Sequence, residues 1–141
     1  MSKIFIFGEV LVDMMSTEYV DDLAQANYFS KQFGGSPANI SINLKNLGID
    51  NVFVSRVGDD DFGKFLINRL KNNGVDTQNI QIDPINHTSI VIVSKSKGTP
   101  SFIPMRKADY NIEYTDIIEK SFEGVEFLHF SSWPISYTKS R

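Results

Sequence analysis

The sequence predicts an α/β fold with a parallel central sheet, flanking helices and an additional β-hairpin. Three observations support this prediction. Strand-like and helix-like segments alternate over residues 3–74, which favours parallel strands joined by crossover helices. Residues 80–105 instead contain a predicted hairpin that turns at Lys97-Gly98. Residues 125–132 then return to an apolar pattern that is typical of a buried strand.

The N-terminal elements are predicted from the pattern of apolar residues and from the glycine that ends the first strand. Residues 3–7 are apolar and β-prone and end at Gly8, as expected for a strand that is covered on both faces. In the next segment, EVLVDMM, side chains alternate between two faces as in a strand, with Val10 and Val12 on one face and Leu11 and Asp13 on the other. Residues 25–33 are predicted to form a further, half-exposed strand.

Residues 37–47 fit two periods. Their apolar residues alternate as in a strand, yet they also fit the i, i+4, i+7 spacing of a helix face. The flanking residues favour the helix. Ser36 is a good N-cap, Pro37 suits the first helical position, and Gly48 suits the position after the last turn.

A strand over 52–58 and a helix over 59–74 follow, and a short helix is predicted over 115–120. The stretch GDDDFGKF also fits the opening of a phosphate-binding P-loop. Phe65, however, stands where that motif needs Ser or Thr for magnesium, and the three aspartates would repel a triphosphate. We therefore interpret the stretch as an acidic helix start that complements the helix dipole.

Composition excludes several functional classes. A net charge of −3 argues against sequence-independent binding to nucleic acid or to an anionic membrane. The absence of cysteine excludes disulfides and thiol nucleophiles, and neither His87 nor His129 lies in a metal-ligand spacing, so no metal site is predicted. Because the N-terminus lacks an adequate signal-peptide core and no apolar run is long enough to span a membrane, we expect a cytoplasmic protein.

Asp13 is a candidate ligand-binding residue. It is expected near the carboxyl end of the first strand, where open α/β sheets bind their ligands. A carboxylate there can accept hydrogen bonds from two neighbouring hydroxyl groups. An aspartate that caps a turn explains the same residue equally well.

The glycine pair Gly34-Gly35 allows the backbone to approach a ligand and exposes N–H groups at a helix start. Asn39, one turn further on, can both donate and accept hydrogen bonds to a sugar hydroxyl. The alternative is a tight strand-to-helix turn followed by a solvated asparagine. Arg106, at the end of the hairpin, can bind a carboxylate or phosphate, although taken alone it is better explained as a surface arginine.

Together these residues resemble the N-terminal pattern of the ribokinase-type (PfkB-type) carbohydrate kinases. The stretch GGSPANIS, followed by Gly48 and Gly58, matches that pattern, and FGEVLVDM resembles the family's opening strand with its substrate-binding aspartate. Three further segments resemble successive parts of the family: SRVGDDDFGKFLINRLKNNGVDT, FIPMRKAD and LHFSSWPIS. The resemblance covers nearly all 141 residues and implies a ribokinase-like fold, with lid strands at about 9–33 and 80–107 beside the central sheet.

The resemblance implies that the ATP γ-phosphoryl group is transferred to a hydroxymethyl group of a sugar or keto-sugar acid. GGSPAN resembles fructokinase-like members more than ribokinase, and FIPMRKAD resembles a lid strand with an arginine, as in fructokinase-like and 2-keto-3-deoxygluconate kinase-like members. ATP and Mg²⁺ are the implied cofactors, and the lid strands are the implied homodimer interface. The implied sugar-binding residues are Asp13, Gly34, Gly35 and Asn39, with Arg106 reaching in from the lid.

One family motif is missing from residues 1–141. The Gly-Ala-Gly-Asp type loop, which supplies the anion hole and the catalytic base, does not occur. We therefore expect these residues to be the N-terminal part of a single domain, with the base and most of the ATP site beyond residue 141, and to be inactive alone. The alternatives are a non-catalytic sugar-binding or regulatory module and a fragment that dimerises through the lid strands. Half of such a sheet should also leave an open edge and an uncovered apolar face.

Overall fold

A computed structural model describes residues 3–138 as two four-stranded sheets with three α-helices. Four short 3₁₀ turns cover Leu23–Gln25, Ala108–Tyr110, Tyr114–Asp116 and Glu119–Phe122. The remaining elements, in chain order, are β1 (Lys3–Phe7), β2 (Leu11–Tyr19), β3 (Phe29–Gly34), α1 (Ser36–Asn46), β4 (Asn51–Gly58), α2 (Asp61–Asn72), β5 (Ile80–Asp83), β6 (Ile90–Lys95), β7 (Phe102–Met105), β8 (Val125–Phe130) and α3 (Ser132–Ile135).

The central sheet has the order β5-β4-β1-β8, and all of its paired strands are parallel. This confirms the predicted α/β class with a parallel sheet. One face carries the larger buried cluster, against which α1 and α2 pack because both helices bury an apolar side. The other face, with Phe5 and Val54, packs against Ile112 and stacks Phe5 on Phe122 at 4.6 Å between ring centroids. The segment with the 3₁₀ turns therefore covers the second face.

The second sheet has the order β3-β2-β6-β7 and contains both parallel and antiparallel pairs. The linker Gly8–Val10 leads from β1 in the central sheet directly into β2. The predicted hairpin is confirmed, since β6 and β7 pair antiparallel. The predicted lid range of 80–107 begins too early, because β5 pairs with β4 in the central sheet. A short apolar strand does not by itself indicate which sheet it joins.

The predicted helix over 37–47 is confirmed, but its N-cap is not Ser36. Helix α1 begins at Ser36, the N-cap is Gly35 with φ of +105°, and no side chain caps the helix locally. The Glu9 carboxylate accepts the Ser36 N–H instead, at 3.2 Å. Gly48 lies beyond the last turn with φ of +75°, as the sequence predicts, because this left-handed conformation suits glycine.

Two predictions for the C-terminal third were wrong in part. The helix expected over 115–120 consists of separate 3₁₀ turns, and the last strand ends at Phe130 because α3 begins at Ser132. Strand β8 is also exposed rather than buried, since it is the edge of the central sheet. Phe127, Leu128 and Phe130 are 54–65% exposed, which gives the open apolar edge that half of such a sheet is expected to leave. Within residues 3–138, no helix is long and apolar enough to cross a lipid bilayer.

Candidate substrate-binding site

Three chain segments border an open cavity between the two sheets. They are the linker Gly8–Val10 after β1, the turn Gly34–Ser36 before α1, and Ser131–Trp133 after β8. Because β1 and β8 are parallel neighbours, their carboxyl ends lie at the same edge of the sheet, where α/β folds bind ligands. The cavity has a volume of about 290 Å³ and is lined by Glu9, Leu11, Asp13, Gly35, Ser36, Val91, Val93, Phe102 and Trp133.

Asp13 lies in the wall of this cavity, but not at the end of the first strand. It is the third residue of β2, between Gln32 of β3 and Val91 of β6. Its position inside a strand rules out the alternative of a turn-capping aspartate. No other described residue forms a hydrogen bond or ion pair with the carboxylate, and its partial burial raises the pKa of Asp13 above the ordinary value. Asp13 therefore offers unused acceptor atoms to a ligand.

Glu9 is one of two site residues that the sequence reasoning missed, the other being Trp133. Glu9 is 5% exposed, and its carboxylate accepts hydrogen bonds from the Ser36 N–H at 3.2 Å and the Ser131 hydroxyl at 2.5 Å. Burial is the largest influence on this group and raises the pKa of Glu9. Glu9 thus joins the start of α1 to the end of β8. The sequence feature that could have identified Glu9 is its charge inside the otherwise apolar run FIFGEVLV.

The glycine pair is required by close backbone approach. A Cβ atom on Gly35 would lie 2.5 Å from the Glu9 carbonyl oxygen, and the φ of +105° is itself unfavourable for other residues. A Cβ atom on Gly34 would collide with the carboxylate of Asp13. The pair therefore allows the turn to pass beside Glu9 and Asp13, and it keeps the backbone of Gly35 and Ser36 at the cavity.

Asn39 and Arg106 do not line the cavity with Asp13. The Asn39 side-chain amide donates to the Gly35 carbonyl at 3.0 Å, and the side chain lines a neighbouring cavity with Lys31 and Arg69. The Arg106 guanidinium donates to the buried Asp109 carboxylate through Nε at 2.8 Å and Nη2 at 2.5 Å. The structure thus brings together three of the five predicted site residues. Sequence spacing alone does not show which side of a turn a side chain occupies.

The two glycines of the P-loop-like stretch already use their N–H groups within the protein. The Gly58 N–H donates to the Thr88 hydroxyl at 3.0 Å, and the Gly63 N–H donates to the Asp60 carboxylate at 2.8 Å. Burial, the largest single influence, raises the pKa of Asp60, but hydrogen bonds from Thr88 and Gly63 outweigh it and hold that pKa below the ordinary value. Asp60 is therefore the acidic helix cap that the sequence predicts, and this stretch does not fit a triphosphate.

A second polar cavity, of about 360 Å³, lies at the amino ends of the central strands and is not favoured as the site. Two of the three lysines that line it already have partners. Lys45 pairs with Asp50 at 2.9 Å, and Lys3 donates to the Glu123 carbonyl at 3.2 Å. The carboxyl-end cavity is preferred because the Asp13 carboxylate is unpaired there.

Comparison with known proteins finds relatives that are named as sugar kinases. The chain is 49% identical over 135 residues to a protein of Thermoanaerobacterium thermosaccharolyticum named ATP-dependent 6-phosphofructokinase, covering 95% of the chain and 41% of the relative. Halothermothrix orenii fructokinase superposes with a TM-score of 0.89 at 39% identity, covering all of the chain and 50% of the neighbour. An uncharacterised sugar kinase of Pyrococcus horikoshii in complex with ATP gives a TM-score of 0.92 at 34% identity, covering 98% of the chain and 46% of the neighbour.

The chain thus spans about half the length of these proteins or less. The sequence profile of the pfkB family carbohydrate kinases matches residues 1–141 in full. The parallel central sheet and the second mixed sheet form a ribokinase-like fold. The chain belongs to the pfkB family of carbohydrate kinases.

Proposed function

We propose that the protein takes part in ATP-dependent phosphorylation of a sugar or keto-sugar-acid hydroxymethyl group, and that the cavity at Asp13 holds the acceptor. The observation that carries this proposal is the partly buried Asp13 carboxylate, to which no described residue donates a hydrogen bond. A buried carboxylate without donors is unfavourable, so a ligand that supplies hydroxyl donors is stabilised there.

The chemistry of the wall favours a hydroxyl-rich ligand over a phosphate. The described lining residues include two carboxylates, Glu9 and Asp13, and no cationic side chain. Leu11, Val91 and Val93 supply apolar contact surface, which suits the C–H faces of a sugar ring. A keto-sugar acid would bring a carboxylate of its own, for which Arg106 is the partner that the family resemblance implies. Direct sugar contacts by Asn39 and Arg106 are implied by the family resemblance alone, because neither side chain lines the described cavity.

We propose that ATP donates the phosphoryl group and that Mg²⁺ is the metal cofactor of the reaction. The Gly58–Lys64 stretch does not fit the phosphates, because the N–H groups of Gly58 and Gly63 already have protein acceptors and three aspartates would repel a triphosphate. We propose that the catalytic base and the ATP and Mg²⁺ sites lie in the part of the relatives that this chain does not span. Residues 1–141 alone should then leave sugars unphosphorylated. ATP-dependent product formed by these residues would contradict this.

Sugar binding is the direct test. Calorimetric titration with fructose, fructose 6-phosphate, 2-keto-3-deoxygluconate and ribose should identify at least one ligand. Asp13→Asn should weaken its binding at least about tenfold, because an amide both loses charge and offers one acceptor in place of two. The matched control is Asp21→Asn, which changes an exposed aspartate outside the cavity. Binding that is equally strong in both variants would refute the assigned site.

We also propose that two copies associate through the second sheet, which is the predicted lid. Its strands expose apolar side chains, among them Ile103 at 51% and Met105 at 47%. Sedimentation analysis should therefore show a dimer that Ile103→Glu weakens. Ile85→Glu is the control, since Ile85 is 89% exposed outside both sheets. A monomer for the unchanged protein would refute this association. Cytoplasmic location likewise remains a prediction.

A further inference from the structure

The short helix α3 carries an aromatic residue into the cavity wall. Trp133 is the second residue of α3 and lines the cavity together with Asp13, Gly35 and Phe102. The start of this segment is fixed, because the Ser131 hydroxyl donates to the buried Glu9 carboxylate at 2.5 Å. The next residue along, Pro134, is buried. The indole ring thus lies at the cavity between a hydrogen-bonded residue and a buried residue of the same segment.

Arg106 holds the ring from outside the cavity. Its guanidinium carbon lies 4.6 Å from the centre of the Trp133 ring and 4.9 Å from that of Tyr137. Arg106 Nη1 also donates to the Ser136 hydroxyl at 2.7 Å, so the arginine contacts α3 and the residues that follow it. The side chain of Arg106 is 7% exposed and its charge is balanced by the fully buried Asp109.

Asp109 is in turn held in place. The Ser89 hydroxyl donates to one of its carboxylate oxygens, and Arg106 donates to the other. A buried charge that is paired and hydrogen-bonded in this way is costly to disturb. The guanidinium therefore has a fixed position, and a planar guanidinium stacks well on an aromatic ring. Arg106 is better suited to support Trp133 than to move into the cavity.

We propose that Trp133 contacts the bound sugar as an apolar wall, and that Arg106 is a positioning residue that acts through Trp133. This inference rests on the proposed sugar-binding function of the cavity. Asp13 and the backbone of Gly35 and Ser36 provide polar groups on one part of the wall. Trp133 provides a large flat apolar surface, against which the C–H face of a sugar ring packs.

The emission of Trp133 tests this contact directly, because the chain contains one tryptophan. Titration with a sugar that binds by calorimetry should change the tryptophan emission in a saturable manner, with the same dissociation constant. Trp133→Phe should weaken binding about twofold to threefold, and Trp133→Ala about fivefold to tenfold, in proportion to the apolar surface lost. Tyr28→Ala, which removes an aromatic ring that is 72% exposed, should leave binding unchanged.

A double-mutant cycle tests the role of Arg106. Arg106→Lys keeps the charge beside Asp109 but loses the planar fork, so it should weaken sugar binding about threefold and shift the Trp133 emission of the free protein. In the Trp133→Ala background the same change should have no further effect on binding. If Arg106→Lys still weakens binding of an anionic sugar in that background, Arg106 contacts the substrate directly and the positioning role is refuted.

The outcomes separate this inference from the proposed function. Sugar binding that depends on Asp13, but leaves the tryptophan emission and the Trp133→Phe affinity unchanged, would refute the Trp133 contact and retain the sugar site. Absence of binding by every sugar of the panel would refute both. Should Trp133→Ala fail to fold by circular dichroism, the emission titration and Trp133→Phe still decide the matter.

Discussion

Replacement of Glu9 tests how the cavity is built. Glu9→Ala removes the acceptor of two hydrogen bonds, from the Ser36 N–H and the Ser131 hydroxyl. Hydrogen bonds to a charged group contribute about 1.5–3 kcal/mol each, so their loss should cost about 3–6 kcal/mol. Removal of a buried carboxylate offsets part of that loss. We expect a net decrease of about 2–4 kcal/mol in the free energy of unfolding.

Glu9→Gln is the matched control. The amide oxygen can still accept the Ser36 N–H, and the amide NH₂ can donate to the Ser131 hydroxyl oxygen. Its free energy of unfolding should lie within about 1 kcal/mol of the unchanged protein. Urea unfolding followed by circular dichroism measures both variants. Equal stability of the alanine and glutamine variants would refute the reasoning that Glu9 joins α1 to the end of β8.

The difference in the free energy of unfolding between the unchanged protein and Glu9→Gln should depend on pH. Because burial raises the pKa of Glu9, the folded state binds its proton more tightly than the unfolded state does. The unchanged protein should therefore lose stability relative to Glu9→Gln as the pH rises from the ordinary value of 4.5 through the raised pKa. Unfolding at about pH 5 and about pH 7 measures the difference. A relative gain of the unchanged protein at the higher pH would contradict a raised pKa.

Three further stability measurements follow from the site and its surroundings. Gly35→Ala should cost more than about 2 kcal/mol, because its Cβ would meet the Glu9 carbonyl, whereas Gly48→Ala, with open space around its Cβ, should cost about 1 kcal/mol. Asp13→Asn should raise stability at neutral pH by about 0.5–1 kcal/mol, since it removes an unpaired carboxylate. Asp60→Ala should cost about 1–2 kcal/mol at neutral pH, and this cost should disappear as the pH falls below 3.8 through the lowered pKa of Asp60.

Each of these has a contrary outcome. Similar costs for alanine at Gly35 and Gly48 would mean that the turn does not pass close to Glu9. A loss of stability in Asp13→Asn would indicate a protein partner for that carboxylate. A difference between the unchanged protein and Asp60→Ala that persists in acid would show that the cap does not depend on ionised Asp60.

The sequence predicted the central sheet well because its signals are local. Continuous apolar runs, acidic helix starts and glycines after helices identified β1, β4, α1 and α2. Its failures concern partners that are distant in sequence. The first N–H of α1 is accepted by Glu9, 27 residues earlier, so Ser36 was given a capping role that it does not have. Strand β8 is apolar like a buried strand, but it lies at a sheet edge.

The turn beside the candidate site could be predicted because its backbone geometry depends on glycine. Gly34 and Gly35 form the predicted turn, where close approach requires glycine at both positions and Gly35 also has a positive φ; their contact with a sugar stays a prediction. Glu9 and Trp133 were missed because each acquires its role only when the end of β8 meets the turn before α1. No periodic pattern in the sequence predicts that contact, because it arises from the parallel pairing of β1 and β8.

The titration of the Asp13 carboxyl group tests the central claim most directly. With ¹³C-labelled aspartate, nuclear magnetic resonance can follow Asp13 across pH in the free protein and in the presence of saturating sugar. The free protein should show a pKa above the ordinary value of 3.8, as burial dictates. Sugar hydroxyl groups that donate to the carboxylate favour its ionised form, so bound sugar should lower that pKa. A bound sugar that leaves the pKa of Asp13 unchanged would contradict the claim that Asp13 holds the acceptor.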